Sequence, residues 1–321
     1  MCGISGFNWK DESKVAEMVR TLAHRGPDAD GIFVDEGISL GHNRLSIIDL
    51  SSNANQPMFD NEKELVIVFN GEIYNFEEIK RELEGEYKFK TKSDTEVILA
   101  GYRKWGKDVV NKLNGIFAFA IWDKRKEELF CARDHAGVKP FYYFWDGERF
   151  IFASEMKAIL KHDIPRTLNK DAFNHYMRVL YVPEPMTMIE NIHKLPLKST
   201  LILKGNNLSV AKYHDPARKA NHLSYKKTTS VLREKVISAV GRQLVSDVPV
   251  GVYLSGGIDS SVVLFSMTQF SKNIETFSVG FELGEGEERE KFNSDFNLAR
   301  KTADFFGTKH NTLLISAKDA R

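Results

Sequence analysis

The chain is poor in cysteine: its 321 residues include only Cys2 and Cys131. That excludes a disulfide-stapled scaffold and favours a reducing, cytoplasmic setting. Long apolar runs are missing as well. No stretch approaches the ~20 residues needed to cross a bilayer, and the N-terminus lacks the basic-then-apolar layout of a signal peptide. Neither sign of charge is in excess. With 45 basic and 44 acidic residues the formal net charge is +1, which points to neither a nucleic-acid nor a membrane-surface partner. Internal repeats are absent. What remains is an ordinary globular composition, 42% hydrophobic and 28% charged, in a chain long enough for two domains with a core each.

Short strand-like runs fill the first part. Leu65-Val66-Ile67-Val68-Phe69 ends at Asn70-Gly71, a strong turn signal, and Ile116 to Trp122 reads as a buried strand. Leu129 to Ala132 and Phe141 to Trp145 read as further strands, the latter turning at Asp146-Gly147 into Phe150 to Ala153. Helical spacing covers Val15 to Ala23 and Asn75 to Leu83, with Asn75 and Glu78 placed as a capping box. Another helix opens at Asp94-Thr95. This mixture predicts a layered α/β domain. A seam falls near 205–225, where Gly205-Asn206-Asn207 and His214-Asp215-Pro216 interrupt regular structure. Beyond it, a helix from Tyr225 to Val245, a strand from Val248 to Leu254, a helix from Ser260 to Phe270, a strand from Ile274 to Phe281 and a helix from Asn293 to Phe306 predict a parallel sheet with crossover helices. Glu282 to Glu290 is acidic and reads as a mobile loop.

Cys2 is the first candidate for chemistry. A small second residue permits removal of Met1, which would leave a thiol and a free α-amine on one residue. That amine, with an ordinary pKa of about 7.7–8.0, can take the thiol proton without a histidine; retention of Met1 would block it. A lone cysteine is more often a small buried hydrophobe, so the reading rests on its companions. Asn70-Gly71-Glu72 offers a side-chain amide beside a flexible backbone N–H, as an oxyanion hole needs, although Asn-Gly alone also marks a plain hairpin. Arg44 can clamp a carboxylate bidentately, or form a surface ion pair. Asp94 can hold an ammonium, or cap its helix. A carboxylate clamp, an ammonium clamp and an oxyanion hole together describe a free amino acid with a reactive side-chain carbonyl.

Five motifs occur in order: Cys2-Gly3-Ile4-Ser5-Gly6, His24-Arg25-Gly26-Pro27-Asp28, Arg44-Leu45-Ser46-Ile47-Ile48-Asp49, Asn70-Gly71-Glu72-Ile73-Tyr74-Asn75 and Ser93-Asp94-Thr95-Glu96. The set resembles class II glutamine amidotransferases and, more narrowly, glutamine-hydrolysing asparagine synthetases. Arg133-Asp134, Gly137-Val138-Lys139-Pro140 and Ser154-Glu155-Met156-Lys157 also match. The resemblance implies an N-terminal-nucleophile αββα sandwich with Cys2 as nucleophile. It implies Asn70 and Gly71 as oxyanion hole, Arg44 and Asp94 as glutamine-binding groups, and Glu72 and the backbone of Leu45, Ser46, Ile47 and Ile48 facing glutamine.

Ser255-Gly256-Gly257-Ile258-Asp259-Ser260-Ser261 sits between an apolar strand and a helix, where glycines let backbone approach phosphate and the helix N-terminus favours anions. It has neither a Walker signature nor GxGxxG. Its form resembles the pyrophosphate loop of ATP pyrophosphatases. The resemblance implies a partial parallel-sheet α/β domain of that type, with pyrophosphate on Ser255, Gly256, Gly257 and Ser260, Mg2+ on Asp259, and adenosine against the backbones of Leu254 and Val279. The expected layout is a glutaminase domain over 2–210, a linker over 211–224 and the first part of an ATP-binding synthetase domain over 225–321. Glutamine, ATP and aspartate are the implied small-molecule substrates, with no prosthetic group; a homodimer is compatible with the resemblance. Departures fall at His135-Ala136 and Leu197-Lys198-Ser199. The family's Gly-Glu-Gly-x-Asp-Glu segment has no counterpart before Arg321. The chain therefore reads as incomplete, with exposed apolar sheet edges, glutaminase activity and little ATP turnover. The leading expectation is amidation of aspartate to asparagine with release of AMP, pyrophosphate and glutamate. Another carboxylate acceptor such as a sugar acid, and a glutamine sensor without hydrolysis, are the alternatives.

Overall fold

The computed structural model describes residues 1–213, 223–283, 293–316 and 319, and the chain divides into two units, Met1–Ala217 and Arg218–Arg321. The linker expected over 211–224 and the acidic loop expected over 282–290 fall mostly outside the described residues.

The first unit is built from strands that are apolar on both faces. In β5 (Leu65–Ile73), Leu65, Ile67 and Phe69 face one core while Val66 and Val68 face another. β6 (Gly115–Asp123) repeats this, with Phe117, Phe119 and Ile121 against Ala118, Ala120 and Trp122. Strands buried on both sides need covering layers on both sides. The chain supplies them as two six-stranded sheets between helices. One sheet runs β10 (Ile192–Lys194), β8 (Tyr142–Trp145), β9 (Phe150–Ala153), β1 (Gly3–Phe7), β3 (Ile38–Arg44), β2 (Ala29–Asp35). The other runs β12 (Asn207–Lys212), β11 (Ser199–Lys204), β7 (Glu128–Arg133), β6, β5, β4 (Met58–Phe59). Neighbours within each sheet pair antiparallel. Val15, Met18 and Leu22, from α1 (Glu12–Thr21) and the residue after it, pack on Phe7, Ile151 and Ala153, joined by Ala158 and Ile159 of α4 (Met156–Ile159). α2 (Phe76–Leu83) and α3 (Asp94–Trp105) cover the outer face of the second sheet. The result is the expected αββα sandwich. A further helix, α5 (Lys170–Val179), leaves Met177 and Val179 exposed.

The turn expected at Asn70-Gly71 does not form. β5 continues through both residues, and its nine positions pair with β6 from Leu65↔Asp123 to Ile73↔Gly115. Tertiary pairing overrides the local turn preference, and glycine serves close approach instead. A Cβ on Gly71 would lie 2.3 Å from the carbonyl oxygen of Ile116. The capping box at Asn75 is also not made. Asn75 donates from Nδ2 to the Lys112 carbonyl (2.9 Å) and accepts the Asn114 N–H at Oδ1 (2.8 Å), tying α2 to the entry of β6. α3 is capped by Ser93, whose hydroxyl accepts the Thr95 N–H at 3.1 Å, and not by Asp94.

The second unit has the expected strand–helix alternation. After α6 (Tyr225–Arg242) come β13 (Gly251–Tyr253), α7 (Ile258–Met267), β14 (Glu275–Phe281), α8 (Ser294–Phe306) and β15 (Lys309–Ile315). The three strands pair parallel in the order β13-β14-β15, so each neighbouring pair is joined through a helix. β13 is shorter than the apolar run from Val248 predicts. Val252, Leu254, Leu264, Met267, Ala299 and Ala303 form the core, while Tyr253, Ile258 and Phe305 are exposed. No described helix is long and apolar enough to cross a membrane.

Candidate active site

Side chains alternate along each strand of the first sheet, and the alternation gathers the polar residues at one end of the sandwich. Leu40 of β3 faces the layer between the sheets, so His42 and Arg44 follow on that side. Ile4 of β1 does the same, which puts Cys2 there. On β5, Val66 and Val68 lead to Asn70 and Glu72. A thiol, an amide, a carboxylate and a guanidinium thus converge where the apolar layer ends.

A cleft at this end is lined by Cys2, Arg44, Leu45, Ile47, Ile48, Gly71, Glu72 and Asp94 among the expected residues. Ala54, Gln56, Phe69, Ser93 and Thr95 also contribute. Its volume is about 20 Å³, room for about one water, which needs 10–15 Å³ or more. Ser46 is not in the wall; its N–H donates to Asp28 Oδ2 at 2.7 Å, which fixes the loop from outside. Asn70 lies behind the wall, 1% exposed, and neither its Nδ2 nor its Oδ1 has a hydrogen-bond partner among the described residues. A buried amide with both atoms unsatisfied is unusual in a folded chain.

The sulfur of Cys2 accepts the Leu45 N–H at 3.4 Å and donates to the Leu45 carbonyl at 3.6 Å. Burial pushes the thiol pKa up, against the opposing pull of the Leu45 N–H. The sulfur therefore rests as a thiol in this form. Burial also lowers the α-amine, here carried by Met1, with the positive charges of Lys139 and Arg25 acting in the same direction.

Glu72 and Asp94 both line the cleft. Burial raises the pKa of both, and the mutual repulsion adds to it at Glu72. Asp94 is anchored by accepting the Ile73 N–H at 2.9 Å. Arg44 is 5% exposed and engaged with its own loop. It donates to the Ser51 carbonyl at 2.7 Å, to Asn55 Oδ1 at 2.8 Å, and to the carbonyls of Ile48 and Asp49. Asp49 closes the loop by accepting the N–H and hydroxyl of Ser51 and the Lys92 N–H.

Several contributors carry no role in the sequence reading. His42 is fully buried, and burial holds its pKa at about 4, so the ring is neutral. Its Nε2 sits 3.0 Å from the Phe69 carbonyl, which fixes Nε2 as the protonated nitrogen and secures the residue before Asn70. Gln56 accepts the Phe69 N–H at 2.7 Å and donates to Thr95 at 3.3 Å. Lys139 is delivered by a loop gathered around Asp134, whose carboxylate accepts the N–H groups of Ala136, Val138, Lys139 and Phe117. Lys139 is buried, which lowers the pKa of its ammonium, while the charges of Glu72 and Cys2 act in the opposite direction. Arg25 and Lys139 lie within quoted motifs, which was a usable signal; His42 and Gln56 had no local pattern to reveal them.

In the second unit the loop Ser255–Gly257 joins β13 to α7. Ser255 and Ser260 hydroxyls meet at 3.0 Å, and the Ser261 hydroxyl donates to the Gly257 carbonyl at 2.8 Å. Gly256 has φ +75°, and a Cβ there would meet Leu298 Cβ at 2.5 Å, so glycine is required twice over. Leu254, Ser255 and Val279 line a cleft of about 510 Å³ with Tyr253, Phe277 and Phe281. Gly256, Gly257, Asp259 and Ser260 lie on the loop and the first turn of α7, outside that wall. Asp259 is exposed, and no cluster of metal-ligating side chains surrounds it among the described residues.

Comparison with known proteins adds the lineage. The family profile described as "Glutamine amidotransferase domain" matches residues 1–214, and that described as "Asparagine synthase" matches 231–321. A putative glutamine-hydrolysing asparagine synthetase 2 of Methanocaldococcus jannaschii is 38% identical, covering 99% of this chain and 66% of the relative. Glutamine-hydrolysing asparagine synthetase 1 of Bacillus subtilis is 37% identical, covering 99% of this chain and 51% of the relative. The chain thus spans about half to two thirds of these relatives' length. Among solved structures, the B. subtilis glutamine PRPP amidotransferase complexed with ADP and GMP aligns with a TM-score of 0.50 at 18% identity, covering 97% of this chain and 65% of that one, a likeness of fold. With a half-buried thiol, an unsatisfied amide and an acidic pair set in a four-layer sandwich, and with both profiles matched in order, the chain belongs to the glutamine-hydrolysing asparagine synthetase family.

Proposed function

We propose that the chain releases ammonia from glutamine at Cys2 and that the ammonia amidates a carboxylate activated by ATP, with aspartate as the acceptor and asparagine, AMP, pyrophosphate and glutamate as products. The observation that carries the first half is Asn70: a buried amide with no partner, one residue from the Gly71 that lines the cleft of Cys2.

After removal of Met1, the α-amine of Cys2 takes the thiol proton. The sulfur attacks the side-chain carbonyl carbon of glutamine, and the carbonyl π electrons move to oxygen. Asn70 Nδ2 and the Gly71 N–H stabilise that oxyanion. The protonated amine gives its proton to the departing nitrogen, ammonia leaves, and a thioester remains. Water then hydrolyses the thioester to glutamate and restores the thiol. Glu72 and Asp94, two carboxylates facing one cleft, suit the α-ammonium of glutamine, and Arg44 suits its α-carboxylate. For Arg44 to do so, some of its bonds to the 48–55 loop must be exchanged for the ligand.

For the second half, residues 225–321 contribute the Ser255–Ser260 turn for pyrophosphate and the cleft at Leu254 and Val279 for adenosine. A single exposed carboxylate, Asp259, fits magnesium arriving on the nucleotide, since that ion keeps most of its shell as water and phosphate oxygen.

The test is glutamate release from glutamine by processed protein beside Cys2→Ala. Release is expected from the first alone. Equal rates in both would refute the glutaminase, and tight glutamine binding without release in either would favour a sensor.

A further inference from the structure

The nucleophile lies at a loose end. β1 pairing begins at Gly3↔Asn43, so Cys2 itself is outside the ladder. Its carbonyl receives the Arg25 Nε–H at 2.9 Å. Arg25 belongs to the short turn Ala23–Arg25 that follows α1, and its side chain is only 8% exposed. The turn is pressed onto β3: a Cβ on Gly26 would come within 2.4 Å of the Asn43 carbonyl. Arg25 Nη1 in turn donates to Glu155 Oε1 at 3.0 Å.

Glu155 stands at the corner between β9 and α4, where the chain grips the nucleophile strand a second time. The neighbouring Ser154 accepts the Ile4 N–H at its hydroxyl (3.0 Å) and donates its own N–H to the Ile4 carbonyl (2.9 Å). The Glu155 carboxylate also meets His24 Nε2 at 2.8 Å and Lys157 Nζ at 3.0 Å. Burial alone would raise its pKa, but the hydrogen bonds from Arg25, His24 and Lys157 outweigh it and hold the group at about 2. Glu155 is therefore an anion at any working pH.

We propose that Glu155 is a positioning residue for the nucleophile: by orienting Arg25 it fixes the Cys2 carbonyl, and with it the direction of the sulfur and of the α-amine. Residues 154 and 155 then form one clamp, with Ser154 holding Ile4 directly and Glu155 holding Cys2 through Arg25. A guanidinium can bridge because its planar fork presents donors in two directions at once. Loss of the carboxylate leaves Arg25 free to rotate and the Cys2 carbonyl without a fixed donor. The reaction depends on sulfur and amine meeting the substrate carbonyl in near-attack geometry, where a shift of 1 Å costs up to ~100-fold.

The proposal rests on the glutaminase reading, and its test separates the two. The processed chain, residues 2–321, is compared as wild type, Glu155→Gln, Arg25→Lys and the double variant, with Cys2→Ala as blank. Glutamate release gives kcat and KM. Iodoacetamide labelling of Cys2 against pH gives thiol reactivity without glutamine, and Cys131, fully buried, stays silent. Glu155→Gln is expected to lower kcat roughly 10- to 100-fold with KM nearly unchanged, and to shift the labelling profile. Adding it to Arg25→Lys is expected to cause little further loss, because the two act as one unit. Losses that multiply, a rise in KM alone, or an unchanged labelling profile would overturn the proposal. Should Glu155→Gln fold poorly, Glu155→Asp repeats the cycle with the charge kept and the reach shortened by one methylene. If wild type and Cys2→Ala release glutamate equally, the glutaminase reading falls, and the labelling arm still decides whether Glu155 governs the thiol.

Discussion

Replacing Asn70 separates activity from stability. In most buried positions an asparagine is kept by its hydrogen bonds, and truncation lowers both. Here the side chain is 1% exposed with no partner at either polar atom. An unsatisfied buried polar group costs about 1–3 kcal/mol, and replacing it with an apolar group of similar shape is near neutral or stabilising. The apolar layer adjoins it, with Val68 and Ala118 on the same side. Asn70→Leu, which keeps the branched shape and the number of side-chain heavy atoms, is therefore expected to hold or raise the melting temperature. One kcal/mol corresponds to about 2–4 °C in a unit of this size. Asn70→Ala removes the same unsatisfied atoms but leaves a small cavity, so its melting temperature should stay close to wild type. Activity moves the other way. Removal of one oxyanion-hole donor costs about 10²–10³ in kcat, some 2.7–4 kcal/mol of transition-state stabilisation, with KM little affected because the donor acts on the oxyanion and not the ground-state amide. The assay pairs glutamate release with differential scanning fluorimetry on the same preparations. A fall of several degrees with glutamate release within threefold of wild type would refute the reasoning, since Asn70 would then be an ordinary structural amide.

Arg44→Ala should lower the melting temperature even without glutamine, because the Ser51 carbonyl and Asn55 lose a charged donor worth about 1.5–3 kcal/mol per bond; a substitution that raised KM with the melting temperature unchanged would contradict the loop-holding role. Glu72 and Asp94 carry raised pKa values, so the folded state binds more protons than the unfolded chain between the ordinary carboxylate range and those raised values, and stability falls as pH rises through that window. An ammonium entering the cleft favours the ionised pair, so glutamine binding to Cys2→Ala should release protons near neutrality, read by calorimetry in two buffers of different ionisation enthalpy. Glu72→Gln should shrink the release, and a value near zero in the parent would refute the ammonium assignment.

Much of this was legible in the residues because the chemistry is carried by local motifs. Cys2, Arg44 and Asp94 each sit in a short pattern, and the two periodicities of strand and helix were enough to lay out most elements. The failures share a cause. Asn70-Gly71 reads as a turn because backbone preference is local, whereas the structure runs β5 straight through it, paired with β6 along all nine positions. Asn75 reads as a cap for the same reason, and its amide instead crosses to Lys112 and Asn114, over 35 residues away. Sequence pattern reports what a residue does to its own neighbours; these two answer to another strand.

The same distinction explains why the residues that hold the site were harder to read than those that line it. His42 acts on Phe69, and Gln56 on Phe69 and Thr95, each through a buried bond to a residue 13 to 39 positions away that local pattern does not connect to it. The backbone just before the Asn70 amide is held on both of its polar groups: His42 meets the Phe69 carbonyl and Gln56 accepts the Phe69 N–H. If either clamp were lost, Asn70 would be free to turn toward the nearest donor or acceptor, and the cost now stored in a bare amide would be relieved by a bond of no catalytic use.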